Sequence, residues 1–324
     1  MILDIPVATR IELPPCGTWP ASVHLFDEAS ADAILAALAA ERPLLVRGEP
    51  GVGKSQLARA AAQHLGRLFV SCVVHSRSEA QDLQWEYDAV ARLGEAQVLA
   101  SVPSDLTPQE RLDPRRYLIP GPLWWVFDWQ SAQDQITRHS LCQSNPPAIP
   151  DAWQPQQGSV LLIDEIDKAE ADLPNSLLET LGNGAFPVPW LDHPVGLRPS
   201  CPPPLVVITT NEERELPSAF LRRCMVLKLQ LPADAAELTD LLVKRGGEHF
   251  GNACTQAVRT LVAEQLAKDR SRARDLGRPA PGQAEYLDIL RALVNARGSD
   301  EAEQTALFKR IARFALDKTG AADT

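Results

Sequence analysis

The chain has no run of the roughly 18 consecutive apolar residues that a membrane-spanning helix needs. It opens Met1-Ile2-Leu3-Asp4, without the basic region and sustained apolar stretch of a secretory leader, so a cytoplasmic protein is expected. Cysteine carries no pattern either. Cys16, Cys72, Cys142, Cys201, Cys224 and Cys254 form no C-x-x-C and meet no paired His at zinc-ligand spacing, which points to scattered reduced thiols. An excess of base is also missing. The formal net charge is −10, and all of the surplus acid falls in residues 1–232, while residues 233–324 carry 14 basic and 14 acidic side chains. A broad nucleic-acid surface needs clustered Lys and Arg, so nucleic acid is not an expected partner. No internal repeat or low-complexity tract appears.

What is present is an ordinary globular composition, 45% hydrophobic and 23% charged, with 27 prolines spread among rigid connections. A length of 324 residues allows one large α/β domain and a smaller companion.

The most informative stretch is Gly48-Glu49-Pro50-Gly51-Val52-Gly53-Lys54-Ser55, which fits the phosphate-binding pattern G-x-x-x-x-G-K-[ST] at every fixed position. Its flanks suit the motif. Leu44-Leu45-Val46 reads as a buried strand, and Gln56 to Leu65 places Leu57, Ala61 and Leu65 on one helical face. Glycines let the backbone curl so that successive N–H groups and the helix's positive end surround a polyphosphate. Lys54 would reach the β/γ-phosphates, and the Ser55 hydroxyl would hold Mg²⁺, with Gln56 next in line on the helix.

Around this loop the sequence reads as alternating strands and helices. A helix from Ser30 to Glu41, N-capped by Ser30, precedes it, and a strand over Leu68–Val74 follows, giving a βαβ unit and hence a parallel sheet. Ser76 to Ala96 reads as an amphipathic helix, and Pro103, Pro108 and Pro114 then break the chain into loops of an insertion. The aromatic-rich run Pro120 to Trp129 is expected to pack in the core, ahead of a Pro-rich connection from Asn145 to Gly158. Ser159 to Ile163 is a strand ending in Asp164-Glu165-Ile166-Asp167, where a Mg²⁺-holding Asp and a water-activating Glu belong. A helix through Leu173 to Leu181 and a hairpin or loop from Asn183 to Pro204 come next. The strand Leu205 to Thr210 ends in Asn211, an amide able to orient water, and Ala219 to Cys224 carries Arg222 and Arg223 at a helix end before a fifth strand, Val226 to Leu231. From Pro232 onward only helical periodicity remains, over about Ala235–Arg245, Ala253–Ala267, Gln283–Asn295 and Glu303–Lys318, so the boundary is expected between 232 and 233.

The ordered set of phosphate loop, Asp164-Glu165, Asn211 and Arg222-Arg223, followed by a helical module, resembles the AAA+ ATPases. Within that superfamily, Pro120-Gly121-Pro122-Leu123 and Leu173-Pro174-Asn175-Ser176-Leu177-Leu178-Glu179 are similar to segments of the MoxR branch. The resemblance implies a P-loop αβα core with a five-stranded, mainly parallel sheet and a helical lid, in a homo-oligomeric, hexameric ring that hydrolyses ATP with Mg²⁺. It implies Asp164 for Mg²⁺, Glu165 as general base, Asn211 as the water-orienting sensor 1, and Arg223, with Arg222 beside it, as a finger reaching a neighbour's site. It also implies a client protein, commonly through a partner with a von Willebrand factor A domain. Two departures stand out. The Pro-rich spacer between Leu123 and Asp164 is long, and the lid helix starts Pro281-Gly282-Gln283 where MoxR proteins carry a sensor 2 Arg, leaving Arg278 as the nearest substitute. An ATP-gated scaffold and an McrB-like nucleic-acid translocase are the rival readings.

Overall fold

A computed structural model of the chain describes residues 5–99, 103, 105–138 and 146–315. The opening Met1 to Asp4, Cys142, Asn145 and the expected helix end at Lys318 lie outside the described residues. The chain begins with an antiparallel hairpin of β1 (Arg10–Leu13) and β2 (Ser22–Leu25), then α1 (Glu28–Ala39), β3 (Leu44–Arg47), α2 (Lys54–Leu65) and β4 (Leu68–Val73). An insert follows with β5 (Trp85–Tyr87), α3 (Ala89–Val98), α4 (Pro108–Arg111), β6 (Leu118–Pro120), α5 (Pro122–Phe127) and α6 (Trp129–Arg138). Next come β7 (Ser159–Asp164), α7 (Asp172–Asn183), a small antiparallel pair of β8 (Ala185–Phe186) and β9 (Val195–Gly196), β10 (Leu205–Thr210), α8 (Ser218–Arg223) and β11 (Met225–Lys228). Four helices close the described chain: α9 (Ala235–Phe250), α10 (Gln256–Asp275), α11 (Gln283–Arg297) and α12 (Glu301–Ala315).

The main sheet has five strands in the order β11-β3-β10-β7-β4, every neighbouring pair parallel. Side chains along a strand point alternately to its two faces, and the near-continuous apolar runs supply both. Leu44, Val46, Val160, Leu162, Leu205 and Val207 pack on one face with Ile34, Leu57 and Ala61 from α1 and α2. Leu45, Leu161, Ile163, Val206 and Ile208 face the other way, against Leu123, Trp124, Trp125 and Phe127 of α5. The aromatic run is therefore core, as expected. A third apolar cluster joins α9 to α12 around Leu242, Val262, Tyr286 and Leu290, and reaches Val52 of the phosphate loop and Leu231. This strand order sets β3 and β7 on either side of β10, so their carboxyl ends, where open α/β sheets bind ligands, open at one place.

Two local expectations are corrected. The predicted helix Ser76 to Ala96 is instead a series of turns, the strand β5 and the helix α3. Trp85 is buried, the Trp85–Tyr87 segment pairs with Leu118–Pro120, and the Asp88 carboxylate caps α3 by accepting from Ala91 N at 2.7 Å, so tertiary packing overrides the helical period. The cap of α1 is Asp27 rather than Ser30. Its carboxylate accepts from Ser30 N at 2.7 Å, and Ser30 itself is buried inside the helix.

Trp124 is fully buried and its indole N–H donates to Ser131 Oγ at 3.1 Å. Replacing it with Ala should lower the unfolding free energy by about 3–5 kcal/mol, read by urea denaturation. A change below about 1 kcal/mol would mean that the insert does not share the core.

Candidate active site

The loop between β3 and α2 is held open by glycine geometry. Gly48 has φ +152° and sits so close to Leu229 O that an added Cβ would approach it to 2.2 Å, and Gly53, at φ +99°, turns the chain into α2. Lys54, 6% exposed, extends its ammonium back along the loop, donating to Gly48 O at 2.7 Å, Glu49 O at 2.9 Å and Asn211 Oδ1 at 2.7 Å. Burial pulls this amine below its ordinary pKa, and the carboxylates of Asp164, Asp167 and Glu165 oppose that pull.

The Ser55 hydroxyl donates to Asp164 Oδ2 at 2.9 Å, and Asp164 Oδ1 accepts a second hydrogen bond from Thr209 Oγ1. Thr209 Oγ1 in turn accepts from Glu165 N at 3.0 Å, where the backbone stands at φ +61°. Beyond it, the Glu165 carboxylate is held at both oxygens. Asn211 Nδ2 donates to Oε1 at 3.3 Å and Lys168 Nζ to Oε2 at 2.5 Å, a contact that raises the Lys168 pKa. Asp167, 2% exposed, accepts from the backbone of Asn211 at 3.2 Å and of Glu213 at 2.9 Å, which shapes the turn after β10. An anion-binding loop, a hydroxyl–carboxylate pair, a second carboxylate and an amide thus come together from β3, β7 and β10.

Pro50 to Gln56, Asp164, Glu165 and Asn211 all line one cavity of about 390 Å³. The β2 strand and the helices α9 and α11 also line it, through His24, Arg245, His249, Leu287 and Arg291. Gln56 Oε1 and Gln283 Oε1, on two lining residues, are buried without a hydrogen-bond partner. Ser55 and Asp164 are hard oxygen donors of the kind Mg²⁺ takes alongside phosphate oxygens, so the pair fits that ion.

Other expected site residues lie elsewhere. Arg278 is exposed just beyond the turn that follows α10 and is not among the residues lining the cavity; Arg245 and Arg291 are cations from the helical segment that do line it. Arg222 and Arg223 are exposed at the end of α8, outside this cavity, and their backbone carbonyls accept from Arg42, Nε to Arg223 O at 3.0 Å and Nη2 to Arg222 O. Glu49 turns its carboxylate away from the loop toward Arg270 and Arg274 of α10. Sequence reasoning missed Thr209 and Lys168, although Thr209 lies two positions before Asn211 and Lys168 follows Asp167 directly. His24 and Arg245 are 221 positions apart and leave no local signal.

A family profile described as AAA domain (dynein-related subfamily) matches residues 43–224. Among solved structures, a point mutant of Thermotoga maritima RuvB aligns at 15% identity and TM-score 0.40, covering 89% of this chain and 75% of its own. A Cytophaga hutchinsonii protein described as an ATPase aligns at 15% identity and TM-score 0.37, covering 89% and 79%. No curated protein matches the sequence. Among the described residues no helix is long and apolar enough to cross a membrane, and the described cysteines, Cys16, Cys72, Cys201, Cys224 and Cys254, are free thiols.

The two cavity histidines give a pH prediction. Burial and the charge of Arg245 lower His24 from 6.5 to about 4, partly offset by Asp27; burial, Arg291, Arg245 and Arg10 lower His249 to about 4. Between those values the unfolded chain binds protons that the folded chain refuses, so their contribution is complete above pH 6.5 and is lost as pH falls toward 4. His24→Gln and His249→Gln should each lose less unfolding free energy than wild type between pH 7 and pH 5. Equal losses of unfolding free energy between pH 7 and pH 5 in wild type and in both variants, read by denaturant titration, would contradict the lowered pKa of these rings.

Proposed function

We propose that this chain, which belongs to the AAA domain family, dynein-related subfamily, is a Mg²⁺-dependent ATPase of the MoxR branch that remodels or activates a partner protein. The observation that carries the reading is the meeting of Lys54, Ser55, Asp164, Glu165 and Asn211 at one cavity over the carboxyl ends of β3, β7 and β10. The loop amides and Lys54 take the polyphosphate, and the base and ribose extend toward His24, Arg245 and Arg291. Ser55 and Asp164 hold Mg²⁺, whose charge offsets that of the phosphates when it is bound. Glu165 takes a proton from the attacking water as its oxygen bonds the γ-phosphorus in line with the departing ADP, and Asn211 keeps that water and Glu165 in register.

Arg223, with Arg222 beside it, supplies a further cation to the site of a neighbouring subunit in a cytoplasmic homo-oligomeric ring, read as a hexamer. AAA+ proteins commonly form such rings. Residues 1–232 are the nucleotide-binding core and residues 233–324 the lid. The client is a protein, engaged directly or through a von Willebrand factor A partner. Nucleic acid is disfavoured by the acid excess of residues 1–232.

Glu165→Gln should retain ATP binding and lose turnover by a factor on the order of 10²–10⁴, measured as phosphate release. Arg223→Ala should be inactive alone, yet the two variants mixed in one ring should regain activity, because an intact Glu165 then meets an intact Arg223 at about a quarter of the interfaces of a closed head-to-tail ring. Subunit exchange that is demonstrated by light scattering but leaves activity at the single-variant level would remove Arg223 from the mechanism.

A further inference from the structure

Glu49 occupies an unconstrained position of the phosphate loop. It lies inside a loop read as a polyphosphate cradle, where a carboxylate would repel the ligand. Its charge is met from the helical segment. Arg270 Nη2 on α10 donates to Glu49 Oε2, and Arg274 Nη2 donates to Oε1 at 3.4 Å. Arg270 is 2% exposed and its Nη1 donates to Pro281 O at 2.9 Å, which ties the same guanidinium to the turn that starts α11. Burial pushes the Glu49 carboxyl up, but the Arg270 hydrogen bond and charge outweigh it and leave the group below its ordinary range. A second contact runs alongside. Ala284 N, at the start of α11, donates to Gly51 O at 3.1 Å, and an added Cβ on Gly51 would stand 3.0 Å from Ala284 Cβ. The outer side of the phosphate loop is thus seated on α10 and α11.

From this geometry we infer that Arg270, with Arg274, is a positioning residue for nucleotide binding that acts through Glu49: it neutralises the one carboxylate inside the phosphate loop, and does so only while α10 is docked on the loop. The inference rests on the nucleotide-binding reading above. Docked, the loop offers its amides and Lys54 to the phosphates with no opposing charge. With α10 withdrawn, Glu49 stands unpaired beside them and affinity falls. Linkage makes the effect reciprocal, so a bound nucleotide favours the docked helices by the same factor.

The test is a double-mutant cycle on the full chain, titrating ADP with Mg²⁺ by calorimetry. Arg270→Gln should weaken ADP by roughly 5–150-fold, the usual span of a coupling between two parts of a protein. Adding Glu49→Gln should recover most of the loss, since the repelling charge is then gone. A double variant as weak as Arg270→Gln would show that Arg270 serves the packing of α10 only. If Arg270→Gln does not fold, as thermal unfolding would reveal, Arg274→Gln decides in its place: it should weaken ADP, adding Glu49→Gln should restore the affinity, and an Arg274→Gln variant that binds as wild type would overturn the inference. Wild type failing to bind ADP at all would instead overturn the nucleotide reading beneath it.

Discussion

Everything at the carboxyl edge of the sheet turns on one buried cation. An ammonium removed from water is costly unless it is surrounded by acceptors, and Lys54 has three, two loop carbonyls and the Asn211 amide oxygen. Those three bonds tie the phosphate loop to the end of β10. Burial lowers the Lys54 pKa, and the field of Asp164, Asp167, Glu165 and Glu212 opposes that pull, so the same carboxylates that could serve the chemistry also favour the charged amine. Parallel strand order makes this possible, because β10 lies between the strand that feeds the loop and the strand that ends in Asp164.

Around the cation the polar groups are layered rather than scattered. Thr209 bridges the Asp164 carboxylate and the Glu165 amide, Asp167 gathers the backbone of the turn carrying Asn211, and Lys168 grips Glu165 from the solvent side. Each carboxylate has a distinct set of partners, and such division lets neighbouring acids take different roles. The helical segment adds a further layer, since α10 and α11 contact the loop through Arg270 and Ala284.

Much of this was legible in the chain itself. The five strands, the glycine-lysine-serine loop and the acidic end of β7 are local patterns, and buried parallel strands advertise themselves as continuous apolar runs such as Val160 to Ile163. The insert was less legible: Trp85 to Tyr87 follows a helical period but pairs with Leu118 to Pro120, a partner well downstream in the chain. The lid end of the cavity was not legible at all. His24, Arg245 and Arg291 meet only through the packing of β2 on α9 and of α9 on α11, and the nearest arginine by sequence logic, Arg278, is exposed beyond the turn that ends α10.

Titration of Mg·ATP into the wild-type chain and into Lys54→Ala asks most directly whether this loop is a nucleotide site. On the nucleotide reading Lys54 meets the β/γ-phosphates, so wild type should bind and Lys54→Ala should give no measurable binding heat at the same concentrations. Equal affinities for the two chains would contradict the assignment of the loop, and with it the roles given to Ser55, Asp164 and Glu165.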